Sequence, residues 1–125
     1  MAREGGLIDW QWRGYSRNHR DRVNLLLHIV AVPAFVAGVL ATVSLALQGF
    51  FYGAAAAFAF AIVAFALQGV GHKREAQAPE PFDGPGDFVA RVLTEQFITF
   101  PRFVLSGHWM RNLAGRAEQG DDRHG

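Results

Sequence analysis

The sequence lacks cysteine altogether, and it lacks charge over one long stretch. Without cysteine, disulfides, thiolate metal sites and cysteine nucleophiles are all excluded, so any metal must be held by histidine, aspartate or glutamate. No Asp, Glu, Lys or Arg falls between Arg22 and Lys73 of the 125 residues. A bilayer crossing needs roughly 20 apolar residues, so the run 23–72 holds two crossings and a turn. This excludes a soluble globule with one central core.

An excess of charge of one sign is also missing. The net charge is only +1, and basic residues are interleaved with acidic ones outside the apolar run, which argues against nucleic-acid binding. The first apolar stretch is too long for the core of a secretory signal, and no small-residue cleavage site closes it. We therefore expect the apolar run to span a membrane.

The pattern predicts an all-α fold: an integral membrane helical hairpin of two transmembrane helices, with a third helix that is amphipathic or re-entrant. Pro33 should bend the first crossing, and two glycines, Gly49 and Gly53, should form the hairpin tip. The chain is expected to form a single membrane domain. Its predicted parts are an interfacial segment 1–22, crossings 23–47 and 54–72, a loop 73–86, the amphipathic helix 87–107 and a polar tail 108–125.

Charge placement predicts the orientation in the membrane. Five arginines precede the first crossing, Lys73 and Arg74 follow the second, and the hairpin tip carries no positive charge, so both termini should be cytoplasmic. The Ala-, Arg- and Gly-rich composition favours a bacterial inner membrane. Small residues such as Ala34, Gly38 and Thr42 recur along the crossings, which predicts close helix packing and self-association into a homo-oligomer.

A few polar side chains interrupt the charge-free run. Asn24 and His28 are spaced i,i+4, as are Gln68 and His72, so each pair projects from one face of its helix. Because the hairpin is antiparallel, the start of the first crossing and the end of the second lie at the same membrane face. All four side chains should therefore meet at one depth, near the cytoplasmic boundary.

His19 and Glu75 extend this cluster. On a continuous helix His19 would lie opposite His28, so the chain must turn around 21–23 to bring the two together. Glu75 follows His72 by three residues and shares its face if the helix persists. The predicted metal site is thus three histidines and Glu75, whose nitrogen and oxygen donors suit iron(II) or zinc. Each histidine taken alone is also consistent with a hydrogen bond inside the bundle, and Glu75 with a solvated loop charge.

Spaced residues in both crossings carry a resemblance to a known family. They are Tyr15, His19, Asn24, His28 and Pro33, followed by Gln68, Gly71, His72, Glu75 and Pro79. With these spacings the chain resembles the membrane-bound 2-hydroxy fatty acid dioxygenases, a family known from phytosphingosine breakdown in yeast. The resemblance covers roughly residues 10–108.

The resemblance implies an iron(II)-dependent dioxygenase that shortens a 2-hydroxy fatty acid by one carbon with O2, a form of α-oxidation. It assigns catalytic metal binding to the three histidines and a supporting or substrate-facing role to Tyr15, Asn24 and Gln68. Membrane lipid, the 2-hydroxy fatty acid and O2 are the implied partners.

Two questions stay open at the level of sequence. Arg91 or Arg102, on the polar stripe of the third helix, could pair with the substrate carboxylate, although Arg91 is also spaced to pair with Glu95. The rival functions are another His-cluster membrane lipid enzyme, such as a hydroxylase or a zinc hydrolase, and a non-enzymatic membrane adaptor. The first predicts bound metal with a different product, and the second predicts no metal.

Overall fold

The computed structural model describes residues 5–115, and every regular element in that part of the chain is helical, which confirms the predicted all-α fold. Residues 1–4 of the predicted interfacial segment and 116–125 of the predicted polar tail lie outside the described residues. A π-helical turn, Glu95–Thr99, joins the fourth helix directly to the fifth. The helices are α1 (Gly6–Tyr15), which runs into a 3-10 turn (Ser16–Asn18), α2 (Arg22–Leu47), α3 (Phe51–His72), α4 (Pro85–Thr94), α5 (Phe100–Leu105) and α6 (His108–Leu113).

The two longest helices, α2 and α3, form the predicted hairpin. By length and composition each could cross a membrane. Only 22% of the most apolar window of either helix is buried inside the protein, whereas the core helix of a soluble protein would be mostly buried. Large apolar side chains near the hairpin tip are exposed, among them Leu47, Phe51 and Tyr52. Such a surface suits contact with lipid.

Small residues bring α2 and α3 into close contact. Gly38 is buried against Ala61, and a Cβ atom on Gly38 would lie only 3.0 Å from the Ala61 Cβ. Ala54 and Ala64 are buried as well. Part of the small-residue surface noted in the sequence is therefore used within the hairpin, and the self-association of two chains stays a prediction.

A second close contact lies at the opposite end of the hairpin. Gly71 of α3 packs on Asn24 of α2, and a Cβ atom at position 71 would overlap the Asn24 amide oxygen and lie 3.2 Å from the Asn24 Cα. Asn24 is fully buried, so it has little room to move away. This contact holds the start of α2 against the end of α3.

The third helix, made of α4, the π turn and α5, packs across this end of the hairpin. Phe100 and Phe103 are buried in one cluster with Leu25 and Val32 of α2 and with Tyr15 at the end of α1. The helix therefore buries one face on the hairpin and leaves other positions exposed. It covers the part of the hairpin where the predicted polar residues lie.

The chain breaks between α1 and α2. His19 has φ −136° and ψ 65°, outside the helical region, and the side chain of Asp21 caps α2 by accepting a hydrogen bond from the Asn24 N–H at 3.0 Å. Before the break, α1 packs on the third helix, where the Gln11 amide donates to the Arg91 carbonyl at 3.1 Å. The break supplies the turn that the histidine spacing required.

Replacing Gly71 by alanine should destabilise the hairpin. The added methyl group would overlap the buried Asn24 side chain, and overpacking of this kind costs about 1–3 kcal/mol. Gly69 lies on the same helix, is exposed, and has nothing within 4 Å of an added Cβ, so Gly69→Ala is the matched control. We expect a lower melting temperature in detergent for Gly71→Ala alone. Equal melting temperatures for the two variants would contradict a tight contact at Asn24.

Candidate metal centre

Three histidines and one glutamate from separate parts of the chain converge beside the third helix. His19 follows α1, His28 lies near the start of α2, His72 ends α3 and Glu95 opens the π turn. One potential ligand atom from each residue lies within 4.8 Å of the other three. His19 and His28 are only 2% and 0% exposed. Histidine nitrogens with a carboxylate oxygen are the donors of non-haem iron and of zinc sites.

The three imidazole rings of this centre stand edge to face. The ring centroids are 4.9 Å apart for His19 and His28, 4.7 Å for His19 and His72, and 4.9 Å for His28 and His72. The angles between the ring planes are 89°, 80° and 86°. Together with the short separation of the donor atoms, this arrangement surrounds one small volume with ring nitrogens.

Hydrogen bonds determine which nitrogen atoms face that volume. His19 Nδ1 lies 2.8 Å from the Tyr15 carbonyl oxygen, and His28 Nδ1 lies 2.9 Å from that of Asn24. Because a carbonyl only accepts, each Nδ1 carries the proton and donates, which leaves a lone pair on Nε2 of the neutral ring. Metal-binding histidines are commonly held in this way. The Nε2 atoms of His19 and His28 and the Nδ1 atom of His72 are buried and have no hydrogen-bond partner within residues 5–115.

Glu95 supplies the negative charge of the centre. Its Oε2 accepts a hydrogen bond from the Tyr15 hydroxyl at 2.9 Å and lies 3.4 Å from His19 Nε2. Burial by itself raises the pKa of Glu95, but its interactions with His19, His28 and His72 lower it to about 2. Burial, with the charge and the hydrogen bond of Glu95, raises the pKa of Tyr15 well above its usual value. At neutral pH Tyr15 is therefore a phenol that donates to an ionised carboxylate.

The π turn orients Glu95 toward the histidines. The Phe100 N–H donates to the Glu95 carbonyl, five residues back, and Pro101, which follows, has no N–H to continue an α-helical ladder. Gln96 forms a reciprocal amide pair with Gln68 of α3, at 2.8 and 2.6 Å. Both glutamines are buried. The pair anchors the π turn to α3.

Glu75 is not part of this cluster, and Glu95 takes the place expected for it. The Glu75 carboxylate accepts hydrogen bonds from the backbone N–H groups of Arg20 and Asp21 at 2.9–3.2 Å. It also accepts one from Asn24 Nδ2 at 2.6 Å. The helix that would have put Glu75 on the histidine face ends three residues before it. Glu75 instead satisfies the backbone of the break before α2.

Glu95 was not predicted from the sequence as a residue of the metal centre. It is the lone acidic residue of the third helix beyond the first turn, and a carboxylate that is largely removed from water needs a partner. The i,i+4 spacing suggested Arg91 as that partner. In the structure, however, Arg91 donates to the carbonyls of Pro81 and Glu80 at 3.0 and 2.8 Å and lies 3.6 Å from Asp87. Arg91 therefore binds the loop 73–84 and is not the partner of Glu95.

Two other predicted site residues, Asn24 and Arg102, lie in different surroundings. Asn24 is buried next to the centre: its carbonyl accepts from His28 Nδ1, and its side-chain amide donates to Glu75. Arg102 is exposed, with its guanidinium 4.1 Å from the centre of the Trp12 ring and outside the cavity that adjoins the metal centre. Because a π turn adds one residue to the helical register, a wheel of 100° per residue misplaces Arg102 relative to Glu95. The proposed role of Arg102 in binding substrate has no support in this position.

The cavity has a volume of about 500 Å³ and lies between the end of α1, the end of α3, α4 and the loop 73–84. Its wall includes His19, His72 and Glu95, together with Tyr15 and Gln68. Apolar side chains also line it: Trp10, Phe65, Phe82 and Val92. The cavity thus connects the candidate metal centre with apolar surface, which suits an amphipathic ligand.

The fold and this cluster define a helical protein with two potential membrane spans and a site fit for a metal ion. The family model described as 2-hydroxy-palmitic acid dioxygenase Mpo1-like matches residues 8–100, and the chain therefore belongs to the Mpo1-like family. The match includes all four residues of the centre, and it confirms the resemblance noted in the sequence. Comparison with curated proteins and with solved structures gave no match.

Substitution of the two glutamates should separate the ligand from the capping residue. Glu95→Gln removes the charge beside the histidines, so we expect metal affinity to fall by at least about tenfold. Glu75→Gln is the matched control: it weakens the cap on the Arg20 and Asp21 N–H groups, which should lower the melting temperature with a smaller effect on affinity. Metal titration of both purified variants makes the comparison. A greater loss of affinity in Glu75→Gln would contradict the assignment.

Histidine substitution should show whether the cluster is the metal site of the chain. We expect purified protein to carry about one first-row metal ion per chain and His28→Ala to lose it, because a buried donor disappears. His108 lies on α6, outside the cluster, with its Nδ1 2.7 Å from the Ser106 hydroxyl. His108→Ala should therefore keep its metal. Elemental analysis of folded protein checks this, and a metal-free wild type would contradict it.

Proposed function

We propose that this chain is an iron(II)-dependent dioxygenase of 2-hydroxy fatty acids, which shortens its substrate by one carbon with O2. The observation that carries the proposal is the set of three buried ring nitrogens, unpaired within residues 5–115, around an ionised carboxylate. The description of the family supports dioxygenase chemistry on a 2-hydroxy fatty acid.

Iron(II) fits this function better than zinc. Zinc has no redox chemistry. A zinc ion held by four protein donors is also typically closed and structural, which leaves no position for a substrate. Histidine and carboxylate ligands with open positions are typical of the non-haem iron(II) oxygenases. When bound, iron(II) supplies the redox chemistry that O2 activation needs. Zinc in the purified protein, with a hydrolytic product, is the outcome that the rival lipid hydrolase predicts.

The side chains around the centre hold its donors in place. Tyr15 donates to Glu95 and stacks on His19, with the ring centroids 3.8 Å apart. Gln68, on the cavity wall, is fixed by its amide pair with Gln96. Because these groups are already hydrogen-bonded, the site is largely preformed, which reduces the reorganisation that substrate binding requires.

The position of the cavity supports a substrate whose tail stays in lipid. The centre lies where α2 begins and α3 ends, at one end of the two potential spans. Phe65 and Val92 line the apolar part of the cavity, which suits a hydrocarbon chain. The arginines that precede α2 favour a cytoplasmic location for this end and for both termini. We propose a bacterial inner membrane as the location.

The reaction itself can be followed through carbon C1 of the substrate. Iron-loaded protein in lipid nanodiscs should convert a 2-hydroxy fatty acid into the acid one carbon shorter under air. Because the C1–C2 bond breaks, carbon-13 placed at C1 should be absent from the fatty acid product. The atoms balance when C1 leaves as CO2, one O2 is consumed and one water forms.

Mass spectrometry of the products separates the proposed reaction from its rivals. His72→Ala should reduce turnover to below about one hundredth of the wild-type rate, and His108→Ala should retain it. A product of unchanged chain length would indicate a hydroxylase. No conversion by folded, iron-loaded wild type would contradict the proposed function.

A further inference from the structure

The cavity beside the metal centre has a cationic wall. Arg13, Arg17 and Arg91 line it, and the acidic residues in the wall are Glu80 and Glu95. Two of these charges are already engaged, since Arg91 donates to loop carbonyls and Glu95 faces the histidines. Counted together, the three guanidinium groups and two carboxylates give the wall a net charge of +1, which favours an anionic ligand.

Arg17 is the cation available to such a ligand. Within residues 5–115 its guanidinium has no hydrogen-bond or ion-pair partner, whereas Arg13 has a partner of its own. Arg17 is exposed in the 3-10 turn, two residues before the buried His19. It therefore lies at the solvent side of the cavity, and the histidine lies at its inner wall.

We infer that Arg17 binds the carboxylate of the substrate, and this inference rests on the proposed function. Four donors from the chain leave few positions on an iron(II) ion, and O2 needs one of them. A substrate that bound the metal through both its carboxylate and its hydroxyl would compete with O2. A guanidinium binds a carboxylate through two parallel charge-assisted hydrogen bonds, so Arg17 can hold the acid group without occupying the metal.

This placement lets one amphipathic substrate contact both the polar and the apolar residues of the cavity wall. The carboxylate lies at Arg17, on the polar side. The hydrocarbon chain lies along Phe65 and Val92, on the apolar side. The reacting carbon is bonded to the carboxyl carbon, so it lies close to Arg17, and His19 and Glu95 line the same cavity.

Binding to the metal-free protein tests the inference without reference to turnover. Trp10 lines the cavity, so its fluorescence should report a bound ligand. The probes are 2-hydroxypalmitic acid and its neutral methyl ester, added to metal-free protein in nanodiscs without net charge. We expect Arg17→Gln to bind the acid about tenfold more weakly than wild type and the ester equally well. Arg111→Gln, on α6 and outside the cavity, should behave like wild type.

The kinetic counterpart uses the iron-loaded protein. Arg17→Gln should raise the KM for the acid about tenfold with little change in kcat, and Arg17→Lys should recover part of the loss. Equal affinity of wild type and Arg17→Gln for the acid would overturn the inference. Arg17-dependent binding of the acid with no shortened product would support it and would contradict the proposed reaction instead.

Discussion

Three buried imidazole nitrogens without a hydrogen-bond partner in the described chain are the constraint on which the rest of the structure depends. Leaving a buried polar atom unpaired costs about 1–3 kcal/mol, and here three such atoms surround one carboxylate. A cation placed among them would satisfy all the donors together and balance the charge of Glu95. Because the donors are held by their own hydrogen bonds, the site should stay folded without the ion, and bound ion should raise its stability further.

Separate contacts fix the elements that carry the donors. The packing of Gly71 on Asn24 brings the start of α2 to the end of α3. Glu75 accepts hydrogen bonds from the Arg20 and Asp21 N–H groups at the break before α2. This break allows His19 to face His28. The amide pair of Gln68 and Gln96 secures the π turn that presents Glu95. The polar residues of the apolar hairpin are therefore mostly supports, and the histidines are the groups left free to bind.

The hairpin and the three histidines could be predicted because hydropathy and helical spacing can be read directly from the sequence. The charge-free run 23–72 is long enough for two spans, and antiparallel packing places His28 and His72 at one depth. Glu95 could not be predicted in the same way, since its orientation depends on the π turn and on a tertiary contact. Glu75 was wrongly predicted as a metal ligand for a related reason. Its spacing from His72 does not show that the N–H groups of Arg20 and Asp21 need its carboxylate as an acceptor.

We propose that His19, His28 and His72 bind a single iron ion together with Glu95. Iron K-edge X-ray absorption of iron-loaded wild type, with Glu75→Gln as the control, reports the ligands directly. The predicted spectrum shows a first shell of nitrogen and oxygen donors with the multiple scattering of three imidazole rings, unchanged in Glu75→Gln. A spectrum without imidazole scattering would contradict the claim.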